Sequence, residues 1–365
     1  MKRLVFLMII GGLLPVGAQA QLPDSSQATH TPALQQWFFK RYDYYRPLVA
    51  EIRAATTRIE PLGFIRDYQY ARPNRALDEL RMAMDLSLGK EIPLWGFNLT
   101  NRTNHQPVGG VGLYLPISFH VLWDISDSVT APIVDTDYRF AYGMLKGRYY
   151  LKTHSQQKAS YLSFRLIPYG HESTHLGDEV TLYGFNQFSN FYRINISYEY
   201  WELGLSHTRQ AKESNQEITF RVGAAGLWNR SKGFYSVDPR EIRNATIYPS
   251  KRFMEYNLGL QLTHVYKKAF TLSSNASRKA RWYDFLSVEC RNRVLLDYEK
   301  MAPNQLEKRV WCVNAVYGWT FETAREANPM NVKLYFRYYY GLNPFGQLRN
   351  QYDWWIASLG LALDI

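Results

Sequence analysis

The chain has 365 residues, a formal charge of +11, a mean hydropathy of −0.36, and 16% aromatic residues that include 28 Tyr and 10 Trp. Such a charge suggests nucleic acid as a partner only if the chain stays in the cytosol; the N-terminus argues for export and excludes it. Two cysteines are too few for a disulfide scaffold.

The chain opens with MKRLVFLMIIGGLLPVGAQAQ. Lys2 and Arg3 precede an apolar run from Leu4 to Val16, and Ala18-Gln19-Ala20 supplies a small-x-small cleavage site. This reads as a signal peptide over residues 1–20, with the mature chain starting at Gln21. No later stretch reaches the roughly 18 apolar residues of a spanning helix. An exported chain rich in Tyr and Trp yet polar overall fits an antiparallel transmembrane β-barrel of the outer membrane, whose strands show one apolar and one polar face. Its expected surroundings are outer-membrane lipid and the barrel-assembly machinery that inserts it.

Residues 21–77 mix aromatics and charges without alternation. They read as a periplasmic N-terminal segment, partly helical from Leu48 to Thr57, that plugs the barrel or merely tethers it. From Asp78 the period becomes two, and residues 78–365 read as the barrel. Leu80, Met82, Met84, Leu86 and Leu88 alternate with Arg81, Asp85 and Ser87, and a shorter strand is expected near 93–100. Val111 to Val121 follows, then Tyr138, Phe140 and Tyr142 against Asp137 and Arg139. The next strand runs from Tyr161 towards His175, and the one after from Phe191 to Leu203. Further strands fall at about 217–228, 253–266, 282–296, 309–321, 331–340 and 353–365, giving about 12, an even number as bacterial barrels require. In the last, Trp355, Ala357, Leu359, Leu361, Leu363 and Ile365 share one face, with Ser358, Gly360 and Asp364 opposite. Short connections at 153–159 and 211–216 alternate with long ones at 124–135, 176–190 and 229–251, which places the strand ending at His175 near the extracellular rim. A soluble sandwich would need an implausibly large core to bury these apolar faces.

His171-Glu172-Ser173-Thr174-His175 spells the zinc-protease pattern H-E-x-x-H, which needs a helix to bring both histidines to one metal. Pro168, Gly170 and Gly177 crowd it, and Leu162, Phe164 and Leu166 alternate into it as a strand. A metalloprotease is therefore rejected, and no metal or cofactor is expected. Unbroken alternation through Pro168 puts Ser163, Arg165, Tyr169, His171, Ser173 and His175 on the lumenal face. The neighbouring strand adds Arg193, Asn195, Ser197 and Glu199, and Asp178 and Glu179 start the following loop. A single bulge at Pro168-Gly170 would reverse the face of His171 and Ser173.

Pro47-Leu48-Val49-Ala50 with Arg53, the HxSxHLGDE pattern from His171 to Glu179, and Arg193-x-Asn195-x-Ser197-Tyr198-Glu199 resemble the bacterial family catalogued as domain of unknown function 1207. Asp137-Tyr138-Arg139 is a weaker match. The resemblance spans most of the mature chain. It implies an outer-membrane barrel and no known activity, and it makes Glu172 incidental to any shared site.

Three functions stay open. The first is binding or passage of a small polar or anionic ligand through Arg139, Arg165, Arg193, Arg221 and the histidines. The second is a structural barrel whose lumenal charges only satisfy one another. The third is a lipid hydrolase in which His171 takes the proton of Ser173, as in the His-x-Ser pair of outer-membrane phospholipase and deacylase barrels, with Asn186, Asn190 or Glu199 as orienting partner. Those barrels hold the pair on the lipid-facing wall. Finally, a hairpin turning near Met301 to Asn304 would set Cys290 opposite Cys312 on the lumenal face as a disulfide candidate.

Overall fold

The computed structural model describes residues 45–364 except 46, 52–53, 67–79, 101–106, 125–133, 154–158, 174–196, 211–215, 229–252, 266–269, 272–278, 296–308, 325–329 and 342–353. The expected signal peptide, and His175, Asp178, Glu179, Asn186, Asn190, Arg193 and Asn195, lie outside them. The described chain is all-β. Its strands are β1 (Thr57–Arg66), β2 (Leu80–Thr100), β3 (Pro107–Asp124), β4 (Val134–Ala141), β5 (Met144–Thr153), β6 (Ala159–Ser173) and β7 (Ser197–Gln210). They continue with β8 (Gln216–Leu227), β9 (Phe253–Val265), β10 (Phe270–Thr271), β11 (Lys279–Leu295), β12 (Arg309–Ala324), β13 (Met330–Gly341) and β14 (Trp354–Asp364).

Each strand pairs antiparallel with its neighbours, and β14 pairs back onto β1, from Thr57↔Leu363 to Arg66↔Trp355. β4 and β5 share one stave, as do β9 and β10, so the wall is a closed barrel of twelve staves. Closure removes the unpaired edges that an open sheet would expose. The strand ends that flank the short stretches 154–158, 211–215 and 325–329 lie at one end of the barrel, together with the start of β1 and the end of β14. Those that flank the long stretches, 174–196 and 229–252 among them, lie at the other.

The period of two sorts the residues as expected over most of the wall. Leu258, Leu260, Leu262, Phe336, Tyr338, Leu359 and Leu361 are exposed outside, while Glu255, Ser287, Glu289, Arg291, Arg337 and Ser358 are buried inside. Two boundaries differ from the sequence reading. β1 lies within the stretch assigned to the N-terminal segment, because the Thr57–Arg66 alternation is interrupted by a register shift between Glu60 and Gly63 and does not read cleanly. The run near 93–100 is the continuation of β2, which crosses Pro93 with another shift instead of ending there.

Residues 45–56 contain no helix among those described. Turn-like bonds from Glu51 N to Leu48 O (2.9 Å) and from Ala54 N to Glu51 O (3.2 Å) keep the chain compact. Tyr45, Leu48, Ala50, Glu51 and Ala54 are buried, and their partners come from inward positions of the wall. Val49 N donates to Gln261 Oε1 (3.0 Å) and Ala50 N to Ser287 Oγ (3.1 Å), while Asn314 Nδ2 donates to Ala50 O (2.6 Å). Val49 and Ala50 pack with Phe285, Val316, Tyr335 and Ala362. The wall makes room for them. A Cβ on Gly89 would stand 2.6 Å from the backbone between Ala55 and Thr56, and one on Gly204 would stand 2.7 Å from the Tyr45 hydroxyl. The described residues of this segment lie inside the barrel, bonded to inward positions of the wall.

The cysteines occupy opposite faces. Arg291, not Cys290, pairs with Cys312, and Cys290 pairs with Val313. Cys312 is therefore inside with Arg291 and Asn314, and Cys290 is outside. The expected disulfide fails because the β11–β12 hairpin is offset by one residue, which inverts the face. Neither cysteine is in a disulfide, so both are expected to react with a maleimide in denaturant without reductant, giving a doubly alkylated intact mass.

Candidate functional site

The site is governed by an irregularity in β6. The β6–β7 register shifts between Ile167 and Gly170, leaving one extra residue on β6 around Pro168-Tyr169. The adjacent stave breaks at the same level, where Tyr142 N donates to Tyr169 O (3.1 Å) between β4 and β5. Proline has no N–H for the ladder, so a bulge is where a wall strand accommodates Pro168. The consequence is a change of phase: Ser163, Arg165 and Ile167 are buried inside below the bulge, and Gly170 and Glu172 above it. Unbroken alternation puts Tyr169, His171 and Ser173 in the lumen; the bulge turns Tyr169 and His171 outward, and alternation carries Ser173, opposite Tyr138, to the same side.

His171 then lies in a row on the outer wall between Phe140 of β4 and Glu199 of β7, its two direct cross-strand partners. Its ring centroid is 5.2 Å from that of Phe140 and 5.9 Å from that of Tyr138. Side chains directly opposite in an antiparallel pair stand about 5 Å apart at Cβ, so Glu199 is within reach of the imidazole. Glu199 was expected in the lumen; β7 keeps its phase from Thr208 back through Ser206, Gly204 and Glu202 to Tyr200, all buried inside, which leaves Glu199 and Trp201 outside. Tyrosines mislead here because Tyr200 supplies a hydroxyl to the lumenal network instead of a ring to the outer face. Ser173, two residues beyond His171 and opposite Ser197, shares the outer side and is buried.

Behind this row the wall is stiffened by charge. Arg139 donates from Nε to Tyr200 Oη (2.6 Å) and from Nη2 to Glu202 Oε2 (2.6 Å), with its guanidinium 4.4 Å from the Tyr200 ring centroid. Arg165 bridges Glu202 and Glu51, and Arg221 takes the other oxygen of Glu51. Lys146 pairs with Glu91 and donates to Tyr45 O (3.2 Å). Tyr45 packs beneath Arg221 and Arg165, at 4.4 and 5.3 Å, and burial pushes its phenol up, so it stays protonated among these cations. Arg139, Arg165 and Arg221 lie in the lumen as expected, and their acidic partners are Glu51 and Glu202. Sequence reading missed both acids. Glu202 shares the inward parity of Ser206, a usable signal; Glu51 sits in a segment with no period at all.

A second network crosses the closure of the barrel. Arg337 on β13 pairs with Glu60 on β1 (2.5 Å) and Asp85 on β2 (2.8 Å). Glu60 also accepts from Tyr335 (2.9 Å) and Ser358 (2.5 Å), and His120 contacts Asp85 at 2.8 Å. No group of His, Cys, Asp and Glu among the described residues has the arrangement of a metal site.

The chain matches no family model and no curated relative. Among solved structures it is similar to outer membrane phospholipase A from Escherichia coli, with 12% identity, 91% of this chain and 97% of that chain covered, and a TM-score of 0.43. It is also similar to the beta domain of the Bordetella autotransporter BrkA (11% identity, 86% and 100% covered, TM-score 0.38) and to LpxR from Salmonella typhimurium (11%, 84% and 99%, TM-score 0.32). At these identities and TM-scores the likenesses carry no inference about activity.

Proposed function

We propose that this chain is an outer-membrane barrel, sealed by its own N-terminal segment, whose lipid-facing wall carries an esterase built from Ser173, His171 and Glu199. The outer face supports the membrane setting: staves of 10 to 12 residues such as β1, β8 and β14 match the length a tilted strand needs to cross a bilayer, and their exposed positions are aliphatic and aromatic. The single observation that supports the catalytic reading is the bulge, which sets His171 beside Glu199 on the outer face and leaves Ser173 one pleat away.

In this reading Ser173 Oγ adds to the ester carbonyl of a membrane lipid while His171 accepts its proton. The ester C–O bond breaks, the leaving alcohol takes that proton, and the acyl group rests on Ser173 until water, deprotonated by His171, adds to its carbonyl; the bond to Ser173 Oγ then breaks, Ser173 takes the proton back from His171, and a fatty acid leaves. Glu199 holds the imidazole and stabilises its protonated form. The Arg139–Tyr200–Glu202 network behind the wall fixes β4, β6 and β7 relative to one another, and so fixes this row.

Passage of a small polar or anionic ligand is the weaker reading, because the described lumen holds paired charges and residues 45–56. Purified, folded protein in mixed micelles is expected to release fatty acid from phospholipid, with Ser173→Ala and His171→Ala each lowering the rate by about 10³-fold or more. Absence of release, or unchanged release in both variants, overturns the hydrolase.

A further inference from the structure

The outer wall bears a second acid–base pair at the end opposite His171. His264 Nδ1 lies 3.4 Å from Asp284 Oδ1, at the short-connection end of β9 and β11. The pair sits in a row running Gln216, His264, Asp284, Trp319 across four staves. The next row towards the middle of the wall is Ile218, Leu262, Leu286, Tyr317, all exposed. A shallow groove of about 170 Å³ spans both rows. Trp319 packs against Tyr317 (ring centroids 5.4 Å apart) and Trp282 against Phe321 (5.1 Å) on the same side. Amphipathic aromatics of this kind mark the level of lipid headgroups, with acyl chains beginning one row further in.

From this juxtaposition we infer a binding site for a phospholipid with a primary ammonium headgroup, an ethanolamine phospholipid, in the leaflet at the short-connection end. The Asp284 carboxylate accepts hydrogen bonds from the ammonium, His264 donates to the phosphate, and an acyl chain lies on Leu262, Leu286 and Tyr317. Ionised partners strengthen both bonds over neutral ones. A choline headgroup has no N–H to give Asp284, and a glycerol headgroup has no cation. The aromatic row sets the depth, and the acid–base pair sets the headgroup. The site rests on the membrane reading above but is independent of Ser173.

The test uses the full folded chain in mixed micelles and records the temperature at which the folded gel band converts to the unfolded one. Ethanolamine, choline and glycerol phospholipids are added at equal mole fraction. The ethanolamine lipid is expected to raise that temperature above the other two, and Asp284→Asn, nearly isosteric, to abolish the difference. Should that variant not fold, His264→Gln is expected to reduce the same difference. Equal effects of the three lipids, or an ethanolamine preference that survives both substitutions, overturn the site. Recovery of the chain in the outer-membrane fraction is scored in parallel. A chain found there without headgroup preference removes this site alone, and a chain absent from it removes the membrane reading as well.

Discussion

Arg337→Ala is expected to prevent the barrel from closing stably, with a loss of about 3–5 kcal/mol, the range for removing one partner of a buried charge pair. Its guanidinium joins Glu60 and Asp85 across β13, β14, β1 and β2, and the three side chains are at most 3% exposed. Without it the groups hydrogen-bonded to Glu60, Tyr335 and Ser358, are neutral hydroxyls, and the two carboxylates keep only Arg58, 4.0 Å from Glu60, and His120, at Asp85, as further partners. The seam is vulnerable because it joins the two ends of the described wall: β14 must find β1 across almost the whole length of the barrel chain, and such non-local pairing has no short turn to hold it. The measurement is the heat-induced conversion of folded to unfolded band. Arg337→Ala is expected to convert at a markedly lower temperature, and adding Glu60→Gln and Asp85→Asn is expected to recover part of the loss by removing the stranded charges. A single substitution that leaves the conversion temperature unchanged, or a triple variant no better than the single, contradicts this account.

The barrel was legible in the sequence because its outer face repeats one simple signal on almost every stave. Leu359 and Leu361, or Leu258, Leu260 and Leu262, cannot alternate with Ser358, Gly259 and Gln261 by any other plan as economically as by a wall between two environments. Phase was legible only where no residue interrupts it. Around Pro168 the same letters support two opposite assignments, and only the ladder shows that one residue is extra. For the same reason Cys290 and Cys312 could be placed near each other but not on the right faces: an offset of one in the β11–β12 hairpin costs nothing in the pattern and inverts the geometry. Glu199 was misplaced because Tyr198 and Tyr200 look like outer-face residues, whereas Tyr200 lies inside beneath Arg139. The plug had no pattern to read. Its order comes from single contacts with wall positions far away in sequence, such as Ala50 with Ser287 and Asn314, and contacts of that kind leave no periodic trace.

Glu51→Ala is expected to loosen the plug and leave the wall intact. The Glu51 carboxylate is shared between Arg165 and Arg221, so its loss removes the charged anchor of residues 45–56, worth about 3–5 kcal/mol by the same reasoning. What remains are neutral bonds at Val49 and on both sides of Ala50, each contributing roughly 0.5–1.5 kcal/mol, the charged Lys146 bond to Tyr45 O, contributing roughly 1.5–3 kcal/mol, and the packing of Leu48 and Tyr45. The two sets are comparable, so the variant is expected to fluctuate between seated and released plug instead of standing permanently open. The wall keeps its ladder and its seam, because neither depends on Glu51. In planar bilayers the parent chain is expected to be electrically silent and Glu51→Ala to show intermittent conductance. The open lumen exposes Arg139, Arg165 and Arg221, so that conductance should favour anions. Protease added from the short-connection side should cut the variant near residues 45–56 and spare the parent. Acyl release by Ser173 should be unchanged, since the outer row faces away from the plug and Arg139 keeps Glu202 as its partner. Equal silence and equal protection in both chains would mean that the remaining contacts alone hold the segment and that the shared carboxylate contributes little to keeping the barrel closed.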